Sequence, residues 1–335
     1  MTSSARQWAV RGGGIALGVG LGALLGWLAV RGVDWSRVWG ALGGFSPVVL
    51  VAAILVVLLS GYVRAMRWRV LWTTERVSAF RLFLIENAAV GLNNLSPVRA
   101  LDEPLEFGIL ALRDRLPSGS IIATMMMSRI QDLAFTLVFV AVALVTLPSL
   151  LRFTPVIVFT GLFFTGWLVL LLTLDRVIAR FPTLRRIALL ASFEEAVRGL
   201  WSRKPRMAAA LGLTAAYWLL LGPAGWLLAR ETGIEISLYL VLVVVIGAIF
   251  FSTAVPGLPG AIGTFEFAAV SLLDLWGVPK EPALTFAIVL HLVLWLVPVS
   301  FTLVVLPREG LRSVRAIREV MGRWREARGA PEEEW

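Results

Sequence analysis

Arg129 and Asp132 stand three residues apart inside the apolar run Ile121–Leu147, so a helix through that run carries both charges on one face. An isolated charge at hydrocarbon depth costs at least about 2.5–3.5 kcal/mol. The two are therefore expected to pair with each other or to line a cavity, where they can grip an anionic head group or gate its passage. Met125, Met126 and Met127 just before them are pliable filler.

A second set surrounds the sequence Asn93-Asn94-Leu95-Ser96-Pro97-Val98-Arg99. Asn87, Asn93 and Asn94 bring amides, and Arg99 brings a planar fork suited to phosphate oxygens. Glu86, Asp102, Glu103 and Glu106 add carboxylates that suit a cationic head group or proton traffic. Asp102 and Glu103 fit equally well in the first turn of a helix, where acids complement the dipole.

The third set is Pro259-Gly260-Ala261-Ile262-Gly263-Thr264-Phe265-Glu266, which predicts a helix starting near Thr264. Gly260 and Gly263 permit close approach of a ligand to the backbone. The N–H groups opening the helix form an anion site, and Glu266 is placed either to cap that helix or to meet a ligand. His291, the single histidine, reads as a hydrogen-bonded core residue, with a proton relay as the alternative. The chain has no cysteine. No disulfide or thiolate site is expected, and with one histidine neither is a zinc or haem centre.

The elements that must position these residues are membrane helices. Hydrophobic residues make up 58% of the 335 and charged residues only 16%, against roughly 25% charged in soluble domains; mean hydropathy is +0.83. Runs near the ~20 residues that cross a bilayer lie at Gly12–Val30, Phe45–Val63, Ile121–Leu147, Phe153–Leu174, Met207–Ala229 and Ala283–Leu306. Two more apolar stretches, Leu82–Leu112 and Leu238–Trp276, are broken by the second and third sets. Interrupted segments at corresponding places in two halves point to a transporter's binding site.

Arginines concentrate in Arg64–Arg81, Asp175–Arg206 and the tail from Pro307, which the positive-inside rule places in the cytoplasm with both termini. The first broken segment then enters and leaves from the cytoplasm and the second from outside. The net charge of +9 reflects this bias, not nucleic-acid binding. Gly14, Gly18, Gly22 and Gly26 share one face of the first helix and favour close packing, within the chain or in a homo-oligomer. The loop 175–206 and the tail read as basic amphipathic helices on the anionic inner leaflet.

The ordered set Arg64-Ala65-Met66-Arg67-Trp68-Arg69, Gly91-Leu92-Asn93-Asn94 with Pro97 and Arg99, Arg129 to Asp132, and Pro259-Gly260-Ala261-Ile262-Gly263 with Glu266 resembles a flippase-like transmembrane family. That family is typified by the membrane half of lysylphosphatidylglycerol synthases. One departure stands out. Where the family reads Pro-x-Arg-x-Gly-Glu, this chain has Leu101 and Asp102 in the last two places, with Glu103 able to substitute. Leu105 and Glu106 stand where a further Arg is usual. The resemblance implies translocation without lipid synthesis.

The expected fold is an all-α, polytopic integral membrane helical bundle. It has six full spans plus two oppositely oriented re-entrant (or short-span) hairpins forming an inverted repeat. One transmembrane domain covers 1–306, with halves at 45–147 and 207–306 and the loop 175–206 between them; 307–335 is a basic cytoplasmic tail. The expected function is flippase-like translocation, in the cell membrane, of an amphiphilic lipid with an anionic or zwitterionic head group. Glu86, Asn93, Asn94, Pro97, Arg99, Asp102, Glu103, Arg129, Asp132, Pro259, Gly260, Gly263 and Glu266 are expected to bind it. No cofactor is expected, and the partners are membrane lipids. The alternatives are a membrane enzyme using Asp102, Glu103, Asp132 or Glu266 as acid and base on a head group, and a subunit that docks a cytoplasmic partner through 175–206.

Overall fold

Apolar residues without interior breakers favour helix, and in lipid the helix also satisfies every backbone group internally. The computed structural model describes residues 18–73, 75–96, 101–155, 203–255 and 257–311, with positions 158, 161, 162, 165, 166, 169 and 173. Pro97, Arg99, the basic loop up to residue 202, the tail beyond residue 311 and most of the expected span Phe153–Leu174 lie outside these.

The described elements are helical: α1 (Gly18–Val30), α2 (Trp35–Gly43), α3 (Pro47–Leu71), α4 (Ala79–Leu95), α5 (Asp102–Leu112), α6 (Ser118–Thr146), α7 (Lys204–Glu231), α8 (Leu238–Ala254), α9 (Thr264–Asp274) and α10 (Lys280–Arg308). Short 3-10 turns lie at Pro148–Phe153 and Pro259–Ala261. Among them α3, α6, α7 and α10 are long and apolar enough to cross a membrane, and α1 and α8 are shorter apolar helices. Val48, Val51, Leu55 and Leu59 form an exposed stripe along α3, the face such a span offers to lipid.

The two broken segments resolve into helices of equal length. α4 and α8 each have 17 residues, α5 and α9 each 11, and the spans that follow, α6 and α10, each 29. At about 1.5 Å per residue an 11-residue helix reaches only about 16 Å, half the ~30 Å of a bilayer core.

Two compact units partition the chain. One comprises residues 1–60, 91–99 and 218–299, the other 61–90, 100–217 and 300–335. In the first, α8 is buried on every side from Val241 to Ile246. It sits close to α7 because Gly225 leaves room that Val245 fills: a Cβ there would lie 2.6 Å from the valine side chain. The same unit has a glycine joint. A Cβ on Gly22 would lie 2.6 Å from the Leu258 nitrogen, and one on Gly26 3.2 Å from Gly263. Gly22 and Gly26 of α1 are thus used within the chain. In the second unit Leu71, Ala123, Met127, Ile130 and Ala210 form a core cluster with Met126 packed against it, so these methionines are filler.

Candidate functional site

The second unit holds the charges of the first broken segment. Arg129 lies on α6, which begins after Pro117 and runs unbroken past it. Its guanidinium reaches the first turn of α5, donating from Nη2 to Asp102 Oδ2 at 3.2 Å and from Nε to Glu103 Oε1 at 3.1 Å. The Arg129 side chain is 47% exposed.

Asp132, one turn further along α6, is held by Arg67. Arg67 Nη1 donates to Asp132 Oδ1 at 2.7 Å and lies 3.3 Å from the Ser128 carbonyl oxygen. The Tyr217 hydroxyl donates to the same carboxylate oxygen, and the Arg67 guanidinium sits over the Tyr217 ring at 5.2 Å. Arg67 is only 3% exposed. The expected mutual pairing of Arg129 and Asp132 gives way to two cross-helix pairings, one half-exposed and one buried.

Glu86, buried on α4, faces Arg64 at 3.5 Å, and neither Glu86 Oε2 nor Arg64 Nε has a hydrogen-bond partner. Glu106 is buried on α5. Asn87 donates from Nδ2 to the Phe83 carbonyl at 2.8 Å. Arg81, at the start of α4, joins the ends of this segment to Glu309, just past the end of α10. It donates from Nε and Nη2 to Asp114 at 3.1 and 3.0 Å, and from Nη1 and Nη2 to Glu309 at 2.5 and 3.1 Å.

The first unit holds the second broken segment. Gly260 and Gly263 have φ of +69° and +85°, a region that L side chains enter at a cost. A Cβ on Gly263 would collide with the Gly22 carbonyl oxygen and lie 3.0 Å from Gly26 Cα. One on Gly260 would lie 2.5 Å from Trp295 Nε1 and 3.3 Å from the Asn94 carbonyl oxygen. The close approach at these glycines is made by α1, Trp295 and the end of α4. Asn93 and Asn94 are half-buried there, and Pro259 opens the turn.

Glu266 in the first turn of α9 accepts the Gly263 N–H at Oε2, 2.6 Å, which satisfies an orphan donor of the helix start. Its other oxygen meets His291 Nδ1 at 2.6 Å, and His291 Nε2 meets the Gly260 carbonyl oxygen at 2.7 Å. His291 thereby spans from α10 to both sides of the turn.

Over residues 15–301 the chain matches the family described as the lysylphosphatidylglycerol synthase TM region. The chain belongs to this family. Comparison with curated proteins returns no match. Membership fits a membrane-embedded chain associated with lipid.

Several of these residues were not singled out from sequence. The basic stretch Arg64–Arg81 puts Arg67 among cytoplasmic charges, but α3 continues to Leu71 and buries it. The signal was present: Arg64 and Arg67 are three apart, with Ala65 and Trp68 continuing the apolar face. Tyr217 gave no local signal, because its partner lies 85 residues away. Among the described residues no group of three or more His, Cys, Asp or Glu could hold a metal ion.

Proposed function

We propose that this protein translocates an amphiphilic lipid with an anionic or zwitterionic head group between the leaflets of the cell membrane. One observation carries the reading. In each half, a base at the twelfth residue of a 29-residue helix reaches an acid in the first turn of the 11-residue helix before it: Arg129 to Asp102 and Glu103, and His291 to Glu266. Charged and polar groups at membrane depth mark substrate and ion pathways, and a duplicated constellation on interrupted segments is the pattern of transporters.

The matched lengths of 17, 11 and 29 residues support an inverted repeat of span, hairpin and span. The basic bias sets both termini and the first hairpin on the cytoplasmic side, with the second hairpin outside. Asn94 lying against Gly260 brings the end of α4 to the turn of the second segment, where a head group can meet amide and backbone polar groups.

Translocation is measured by reconstituting the protein in vesicles with fluorescent phosphatidylglycerol and adding a membrane-impermeant quencher. Protein-containing vesicles are expected to lose fluorescence from both leaflets. Quenching confined to the outer leaflet would overturn the reading, and a modified lipid found by mass spectrometry would replace it with head-group chemistry. Single cysteines at Ser96 and Ile262, the latter exposed, are expected to label from opposite sides of intact cells. Labelling from one side would remove the inverted topology.

A further inference from the structure

Both ring nitrogens of the chain's single histidine face oxygen. Nε2 lies 2.7 Å from the Gly260 carbonyl oxygen and Nδ1 2.6 Å from Glu266 Oε1. A carbonyl oxygen only accepts, so Nε2 carries the hydrogen of the first contact. In a neutral ring Nδ1 would then be a bare acceptor. An ionised Glu266 would place one lone pair against another at hydrogen-bond distance. The second contact therefore requires one further proton, on Nδ1 or on the carboxyl group. Glu266 is not free to rotate away, because Oε2 holds the Gly263 N–H.

The surroundings keep this proton out of water. The His291 and Glu266 side chains are 11% and 14% exposed, and the Phe265 ring stacks on the imidazole at 4.4 Å. α1 brings Gly22 and Gly26 to the turn, and the end of α4 brings the Asn94 carbonyl. From α10 itself comes the indole of Trp295, which does not titrate. Among the groups named on these elements, Glu266 is the one that carries charge opposite His291.

We propose that Glu266 and His291 form a proton-binding site that latches the Pro259–Gly263 turn, loaded with one proton when the turn is held and releasing it when the proton leaves. The proton comes from and returns to water, and only an N–H or O–H bond forms or breaks. In the unloaded state the carboxylate and the bare Nδ1 repel. Glu266 keeps its place at the start of α9, where the helix dipole favours its charge, while His291 gives up the contact that ties α10 to Glu266 and, through it, to the Gly263 end of the turn. Under the translocation reading, this makes movement of the second hairpin proton-coupled.

Because His291 is the only histidine, full-length protein labelled with ¹⁵N-histidine in lipid nanodiscs gives one imidazole signal, and no variant is needed. At neutral pH the expected result is a proton on Nδ1. The equivalent result is a protonated carboxyl band in the infrared that disappears in Glu266→Gln. A neutral ring with bare Nδ1 and no such band would overturn the site. The latch is read from a single cysteine at Ile262, its thiol labelling rate normalised to one at exposed Ser149. The rate is expected to rise several-fold as pH passes the proton's transition, and to stay flat in a Glu266→Gln background. A rate unchanged through that transition would overturn the latch. Neither readout uses lipid translocation, so failure here and failure of the translocation reading are distinguishable.

Discussion

Arg129 and His291 occupy the same place in two matching frameworks, yet they hold their acids in different ways. Arg129 makes two hydrogen bonds to two separate carboxylates of α5 and is half exposed. His291 is buried, meets one carboxylate and also grips the carbonyl of a strained turn. A guanidinium stays charged at any physiological pH, whereas an imidazole changes charge within that range. The more open setting weakens the first pairing, and the more closed setting strengthens the second. The first broken segment thus carries a permanent ion pair and the second a protonation-dependent one.

The largest effect should come from the charge pair that lies outside this comparison. Asp132→Leu strands the buried Arg67 guanidinium, and breaking a buried pair from one side costs about 3–5 kcal/mol. Little folded protein is expected by size-exclusion chromatography. Monodisperse, thermally normal protein would mean that Arg67 finds another partner and that the pair is not a structural anchor.

Next comes the turn of the second broken segment. Gly263→Ala forces a left-handed alanine, at about 1–2 kcal/mol, and crowds α1, at about 1–3 kcal/mol more. A fall in unfolding temperature is expected, and an unchanged one would remove the strained turn from the contrast.

Arg129→Gln tests the exposed side directly. The pair should contribute less than about 1 kcal/mol to stability, so unfolding is expected to stay near wild type while quencher-detected translocation drops. A large loss of stability would make Arg129 a second buried anchor and erase the difference between the halves.

The smallest effect is at the ends of the first broken segment. The hydrogen bonds from Arg81 hold the Glu309 carboxyl below the usual carboxylate range. Its native value lies under its unfolded one, so its stabilisation is present at neutral pH and fades as pH falls through the native value. Glu309→Gln is expected to flatten the acid limb of thermal stability, and an unchanged limb would assign that limb to other carboxylates.

Composition and the length of apolar runs made the long helices legible, but not the short α2. The start of α9 near Thr264 and the two-armed form of both broken segments follow from Pro and Gly placement. The partners of the charges were not legible, because an ion pair depends on which helices become neighbours. Asp132 is three residues from Arg129 in sequence but takes Arg67 and Tyr217, from α3 and α7. The glycines of the second turn advertised a close approach, but only the packed chain shows α1 and Trp295 making it. The histidine's role needed the carbonyl of Gly260, a backbone atom that residue types do not disclose.

The joint between α1 and the second turn also sets an order of events at birth. Gly22 leaves the ribosome roughly 240 residues before Leu258, the neighbour whose nitrogen blocks its Cβ position. At about 5–20 residues per second that interval is about 10–50 s. Through that interval the face of α1 that carries Gly22 and Gly26 waits for a backbone that has not yet been made. The seat of α1 therefore cannot form until the second turn has been translated, so a helix made early is completed late.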